Sequence, residues 1–232
     1  MDEQDLTGRR ASRGPPRTVF GVQPVILPLD LGQRHIPYAE GWELQERLHS
    51  QVVDGHTIPT ILLLEHAHVY TAGTRTQPSD LPPPDEPLVE VNRGGRITWH
   101  GPGQVVAYPI VPLATPVDVV AFVRRLESAL IATCADFGVE GDRVSGRSGV
   151  WVSGTRKIAA IGVRVARGVA MHGVALNVDC DLTNYARIVP CGITDAGVTS
   201  LAAEGAALPD GDPLVDVGLR LGAHLREQLS WD

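Results

Sequence analysis

Hydrophobic and polar positions follow two periods along this chain. After Pro37, the residues Tyr38, Trp42, Gln45, Leu48 and Val52 recur at helical spacing until Gly55, which predicts a helix opened by proline and closed by glycine. A second stripe runs through Val119, Val123, Leu126, Leu130, Cys134 and Phe137 to Gly138. Thr115-Pro116-Val117-Asp118 reads as its start, with a hydroxyl cap, an early proline and an acid in the first turn. A third follows Asp212-Pro213 through Leu214, Val217, Leu221, Leu225 and Leu229. Between them lie apolar or alternating runs that predict strands: Val22–Leu29, Thr60–Leu64, Val69–Ala72, Leu88–Asn92, Val105–Val111, Gly149–Val152, Lys157–Ala166 and Val169–Val178. Asp181–Arg187 suits a short helix. Five of the 18 prolines fall within Pro78–Pro87, so that stretch is a loop. Runs of strands with three or four helices indicate an α+β fold. Residues 1–18 carry no apolar period and are expected to form a mobile tail before one domain over residues 19–232.

Composition narrows the classes of function. The longest apolar runs are far too short to cross a bilayer, and the first residues, Met-Asp-Glu-Gln-Asp-Leu, lack the apolar core of a secretory signal. The three cysteines, Cys134, Cys180 and Cys191, form no Cys-x-x-Cys pair. They fit a reducing cytosol, hence a cytoplasmic location, better than a disulfide framework or a zinc knuckle. A net charge of −7 argues against nucleic acid as a partner. Of the 20 basic residues, only Lys157 is lysine. An arginine bias explains the other nineteen. The exception suggests a position where an amine must give up and regain a proton, which guanidinium does not do.

Four segments concentrate the chemistry. Arg93-Gly94-Gly95-Arg96-Ile97-Thr98-Trp99-His100-Gly-Pro-Gly-Gln104 is backbone that turns sharply and approaches something closely. It is neither a Walker loop nor a dinucleotide fingerprint, because no Gly-Lys-Ser/Thr and no helix follows. A hairpin with tight corners is its plain structural reading. Gly154-Thr-Arg-Lys157-Ile-Ala-Ala160-Ile161-Gly162 sets the lone lysine at the mouth of an apolar strand. Met171-His172-Gly173-Val174-Ala175-Leu-Asn177 follows a histidine with small residues that leave room for a ligand or for close strand packing. Ile188-Val-Pro-Cys191-Gly-Ile193 puts a thiol in a Pro/Gly turn, outside any apolar period, where backbone N–H groups can hold a developing oxyanion. Cys134, on a helical stripe, reads as a core thiol. His66 and His68 form half a metal site at most, so the expectation is no metal.

In order and spacing, these segments resemble the lipoyl(octanoyl) transferases, which move an octanoyl group from acyl carrier protein to a lysine of lipoyl domains. Tyr38-Ala-Glu-Gly-Trp42 and Glu65–Gly73 are similar to earlier segments of that family. The resemblance implies a fold like the biotin and lipoate protein ligases, a mixed, largely antiparallel sheet flanked by helices with a smaller second sheet. It implies that Cys191 is the nucleophile that carries the acyl thioester and that Lys157 tunes its thiol. Arg93 to His100, Ala160 to Gly162 and Gly173 to Ala175 would bind substrate. It implies no cofactor, and octanoyl-acyl carrier protein and lipoyl domains as partners.

A free thiol titrates near ~8.5 and is mostly protonated at neutral pH, and a neighbouring ammonium lowers that value. Transfer from one thioester through another needs no ATP. An octanoyl tail buries about seven alkyl carbons, worth roughly 5 kcal/mol at ~0.8 per methylene, so chain-length choice is expected to be graded. Because both partners are typically acidic, Arg75, Arg93, Arg96, Arg143, Arg147 and Arg156 are expected to form a basic face. The rival readings are an ATP-dependent ligase of the same fold, a hydrolase pairing Cys191 with His100 or His172, and a non-catalytic acyl-binding module.

Overall fold

A computed structural model describes residues 21–188 and 196–230. The expected tail at residues 1–18 and the expected nucleophile Cys191 lie outside the described residues. Among the described residues, eleven strands form two sheets. The larger takes β1 (Val25–Pro28), β2 (Thr60–Leu64), β6 (Gln104–Ile110), β10 (Val169–Asn177), β9 (Arg156–Ala166), β8 (Arg147–Val152) and β7 (Asp142–Val144), in that spatial order. Its pairs are antiparallel apart from β1 with β2 and the two-residue β11 (Gly197–Val198), which runs parallel to the start of β9. The smaller sheet orders β4 (Leu88–Glu90), β3 (Val69–Ala72) and β5 (Thr98–His100). This is the α+β architecture with a second, smaller sheet that the sequence led us to expect.

Helices cover both faces of the larger sheet. On one face, α2 (Val119–Asp136) and α3 (Pro213–Gln228) seal the main core around Leu63, Val105, Leu126, Leu130, Val174 and Leu221. Cys134 lies fully buried in this core, as its stripe suggested. On the other face, α1 (Tyr38–Val53) packs over Leu62, Leu64, Val106 and Tyr108. With both faces covered, β6 and β10 are buried along their whole length, which is why their sequences read as continuous apolar runs. Helix α2 starts later than its Thr-Pro signal predicts. Asp118 caps it, accepting from the Ala121 backbone N–H at 2.9 Å, and a carboxylate is a better cap than the Thr115 hydroxyl. Asp181–Arg187 forms a 3₁₀ turn over Leu182–Arg187. Neither β7 nor β11 has a pattern of its own; each exists through its pairing partner.

A buried polar seam joins the small sheet and α1 to the large sheet. His66 Nδ1 donates to the Ile36 carbonyl at 2.9 Å, so its Nε2 accepts from the Tyr108 hydroxyl at 2.7 Å. His100 Nδ1 lies 2.7 Å from Gln104 Oε1. The Gln104 amide donates to Asn177 Oδ1 and to the Tyr185 hydroxyl, each at 2.9 Å, which fixes Gln104 Oε1 as the acceptor for His100. His172 Nε2 meets Asn92 Oδ1 at 2.7 Å. Burial pushes His66 down to about 4 and, with help from the Arg93 and Arg164 cations, His172 down to about 3. Burial, then the neighbouring His66, holds His100 well below its ordinary value.

These three imidazoles are therefore neutral in the folded state and protonate near 6.5 once exposed. The unfolded chain then binds more protons, so their contribution is fully present above pH 6.5. It falls by about 1.4 kcal/mol per pH unit for each histidine as the pH drops toward 4. Urea unfolding at pH 7 and pH 5 should show a clearly lower midpoint at pH 5, and an unchanged midpoint would contradict neutral burial.

Candidate functional site

The two sheets enclose a cavity of about 290 Å3. One wall is the face of β9 and β10 that carries Ala160, Gly162, Gly173 and Ala175; Ile161 and Val174, between them, border the cavity but turn their side chains to the main core. The opposite wall comes from the segment before and within β5, with Arg93, Gly95, Arg96, Thr98 and His100. Lys157 also lines the cavity. Three of the four chemistry-bearing segments thus meet around one space. The fourth, with Cys191, falls outside the described residues. Gly94, Ile97 and Trp99 do not line the cavity. Side chains alternate along a strand, so β5 sends Thr98 and His100 to the cavity and Trp99 to the far side. There Trp99 and Ile97 pack with Tyr70, Tyr185 and Ile188, and the indole N–H donates to His68 Nδ1 at 2.9 Å.

Close backbone approach makes the cavity possible. A Cβ on Gly162 would stand 2.8 Å from Arg93 Cδ, so any other residue there would push Arg93 off the strand. Arg93 itself is buried and donates to the Thr71 carbonyl at 2.7 Å, the Thr71 hydroxyl at 2.8 Å and the Arg96 carbonyl at 2.9 Å. It acts as a rivet between the glycine-rich segment and β3.

Lys157 sits at a register shift between β8 and β9, opposite Trp151. It is only 7% exposed, and its Nζ lies 5.1 Å from the centroid of the Trp151 ring, within cation–π range. Its stem lies along Gly149. A Cβ there would come 2.7 Å from Lys157 Cε and 2.4 Å from the Ala159 carbonyl, and the backbone has φ +109°, so only glycine fits. The Gly149 N–H donates to Glu127 Oε1 at 3.2 Å. Glu127 is fully buried on α2 and pairs with Arg124 at 2.7 Å and Arg143 at 3.0 Å. A carboxylate on the core side of one helix therefore sets the strand segment against which the lysine rests.

Of the arginines expected to form a basic face, Arg75, Arg93, Arg96 and Arg147 line the cavity. Arg96 is tied to the buried Asp80, with Nε 2.7 Å from Oδ2. Arg143 and Arg156 do not line the cavity; they pair with Glu127 and with Glu204, the latter at 2.8 Å. His66 and His68 serve separate networks, His68 meeting Glu86 at 2.9 Å. Sequence reasoning did not single out Tyr108, Gly146, Ser148 or Glu127. Tyr108 hides in an apolar run. Glu127 left a usable signal, since it stands four residues after Val123 and three before Leu130, a charge where the helical stripe calls for an apolar residue.

Residues 37–215 match the family model of the lipoyl protein ligase A/B catalytic domain. An octanoyltransferase of Salinispora tropica is 61% identical over 172 residues, covering 72% of this chain and 81% of that protein. An octanoyltransferase of Thermobifida fusca is 57% identical over 183 residues, covering 75% and 78%. Among solved structures, a bipartite lipoate protein ligase from Thermoplasma acidophilum aligns with a TM-score of 0.63 at 15% identity, covering 90% of this chain and 85% of that one. Biotin protein ligase from Aquifex aeolicus aligns with 0.50 at 15% identity, covering 90% and 69%. At such identities the structural likeness speaks for the fold, and the family follows from the sequence relatives. The chain belongs to the lipoyl protein ligase A/B catalytic domain family, among its octanoyltransferases.

Proposed function

We propose that this chain transfers an octanoyl group from octanoyl-acyl carrier protein to a lysine of a lipoyl domain, through a thioester on Cys191. The observation that carries the reading is how the chain on either side of Cys191 relates to Lys157. Tyr185, six residues before Cys191, and Val198, seven after it, line one small gap together with Lys157. Val198 pairs with Lys157 in the sheet, and the Thr199 N–H donates to the Lys157 carbonyl at 3.0 Å. The described residues on either side of Cys191 therefore converge on the only lysine of the sequence.

The chemistry then runs in two halves. The Cys191 thiolate attacks the carrier thioester, and the Lys157 ammonium protonates the departing phosphopantetheine thiol. Lys157, now neutral, takes a proton from the incoming lysine amine as that amine attacks the Cys191 thioester. Cysteine and lysine titrate as a pair in this scheme. The Lys157 Nζ rests against the Trp151 ring, 5.1 Å from its centroid, which holds the amine in place. Small residues on β9 and β10 leave the channel for the acyl tail. Arg75 and Arg147 at the cavity supply positive charge to an acidic carrier. An ATP-dependent ligase shares the fold, but it has no use for a nucleophilic thiol, and the Pro190-Cys191-Gly192 sequence favours the transferase.

Incubation of the full chain with octanoyl-carrier protein, followed by intact-mass measurement, should show one octanoyl adduct without ATP. The adduct should be absent in Cys191→Ala; its persistence there would remove the thioester from the mechanism. Lys157→Arg keeps a cation but not an exchangeable proton, and should slow both half-reactions by about 10²-fold or more. Undiminished transfer to the lipoyl domain would refute the proton role. Gly149→Ala should displace the lysine stem and lower kcat by about tenfold or more, with KM for octanoyl-carrier protein little changed, because a small misplacement at the chemistry costs that much. Steady-state kinetics on both substrates would detect it.

A further inference from the structure

Two spaces adjoin at Lys157. The cavity between the sheets and the small gap described above share three lining residues, Thr98, Lys157 and Ala160. The gap measures only about 10 Å3, close to the least space that accepts one water-sized group. It suits a single oxygen atom and no larger part of a ligand. Besides Lys157, its polar lining comes from Thr98, Asn177 and Tyr185. Asn177 is committed to the fold. Its amide donates to the Thr199 carbonyl at 2.9 Å, and its Oδ1 accepts from Gln104 at 2.9 Å and from the Tyr185 hydroxyl at 3.2 Å. Tyr185 thereby spends its proton inside the fold as well. Thr98 differs. Its Oγ1 is buried with no hydrogen-bond partner among the described residues, on a residue only 6% exposed.

The hydroxyl is held in place. Thr98 stands opposite Thr71 in the small sheet, and every residue of β5 is buried. A β-branched side chain on a strand has few rotamers to choose from. Burying a hydroxyl without a partner costs stability. Valine would fill the same space without that cost. A threonine here is therefore explained by an acceptor that a ligand brings.

The inference rests on the transferase reading and deepens it. In that reading the reacting carbonyl lies between Lys157 and the residues on either side of Cys191, and Tyr185 and Val198 line the same gap as Thr98. We propose that the Thr98 hydroxyl donates a hydrogen bond to the carbonyl oxygen of the reacting thioester, as a catalytic residue in both half-reactions. When the Cys191 thiolate adds to the carrier thioester, the carbonyl π pair moves onto oxygen and the bond from Thr98 tightens. Collapse re-forms the carbonyl and expels the pantetheine sulfur, which takes its proton from Lys157. The lysine amine of the lipoyl domain then adds to the enzyme thioester, its proton passes to Lys157, and the Cys191 thiolate leaves. Thr98 keeps its own proton throughout. A donor placed where negative charge develops binds the transition state more tightly than the substrate.

Single-turnover formation of the octanoyl adduct on the full chain, followed by intact mass, tests the role in Thr98→Val and Thr98→Ser. Valine keeps the shape and removes the donor. The rate at saturating octanoyl-carrier protein should fall about 10²-fold, with the half-saturating concentration changed by less than about threefold. Serine keeps the donor and should restore the rate to within about tenfold of wild type. The urea midpoint of Thr98→Val should equal or exceed that of wild type, because an unpaired buried hydroxyl is removed. A wild-type rate in Thr98→Val, an effect confined to the half-saturating concentration, a serine variant as slow as the valine variant, or a lowered urea midpoint in Thr98→Val overturns the donor alone. Absence of any adduct on the wild-type chain overturns the transferase reading and the donor with it.

Discussion

In the proposed reaction, an amine that works on an acyl group has to be shielded, fixed in place and yet open to a ligand. Lys157 meets those demands because β8 slips in register where β9 begins. The slip leaves Gly149 beneath the lysine stem and Trp151 beside its ammonium. Glu127, buried on α2, holds the Gly149 backbone from the core side. Desolvating a carboxylate is costly unless it is paired and hydrogen-bonded. Two arginines and a backbone N–H meet that condition here. The site is therefore anchored through the main core, not through the loops around it.

The second constraint is the seam between the two sheets. A sheet pair joined only by apolar contacts slides easily among similar packings. A seam of directed hydrogen bonds from His66 to Tyr108, and from His100 through Gln104 to Asn177 and Tyr185, allows one arrangement. His100, Tyr108 and His172 of this seam also line the cavity, so residues that fix the fold also shape the candidate site. Its cost is sensitivity to acid, because every imidazole in it is neutral only while buried.

Arginine use across the cavity separates two jobs that composition alone had merged. Arg93 is spent on backbone carbonyls and a hydroxyl, and it ties the glycine-rich segment to β3. Arg143 and Arg156 are matched to carboxylates away from the cavity. Arg75 and Arg147 remain as cavity-lining charge. Proximity in sequence to a motif did not distinguish a guanidinium tied into the fold from one lining the cavity, since the distinction depends on which groups the fold brings within about 3 Å.

The sequence by itself determined the three helices, most of the strands and the α+β class, because hydrophobic period is a local property of consecutive residues. It also singled out Lys157, through the absence of any other lysine, and the glycine-rich segments, because small residues in clusters are rare without a close approach to accommodate. What only the tertiary structure decided is which of those residues face one another. The alternation of β5 turns Thr98 and His100 inward and Trp99 away, while β11 exists through a partner some 40 residues back along the chain. Tyr108 and Glu127 acquire their roles from neighbours more than 20 residues distant in the first case and on another element in the second. Hydrogen bonds and charge pairs act over a few ångströms, and only the folded chain sets those distances.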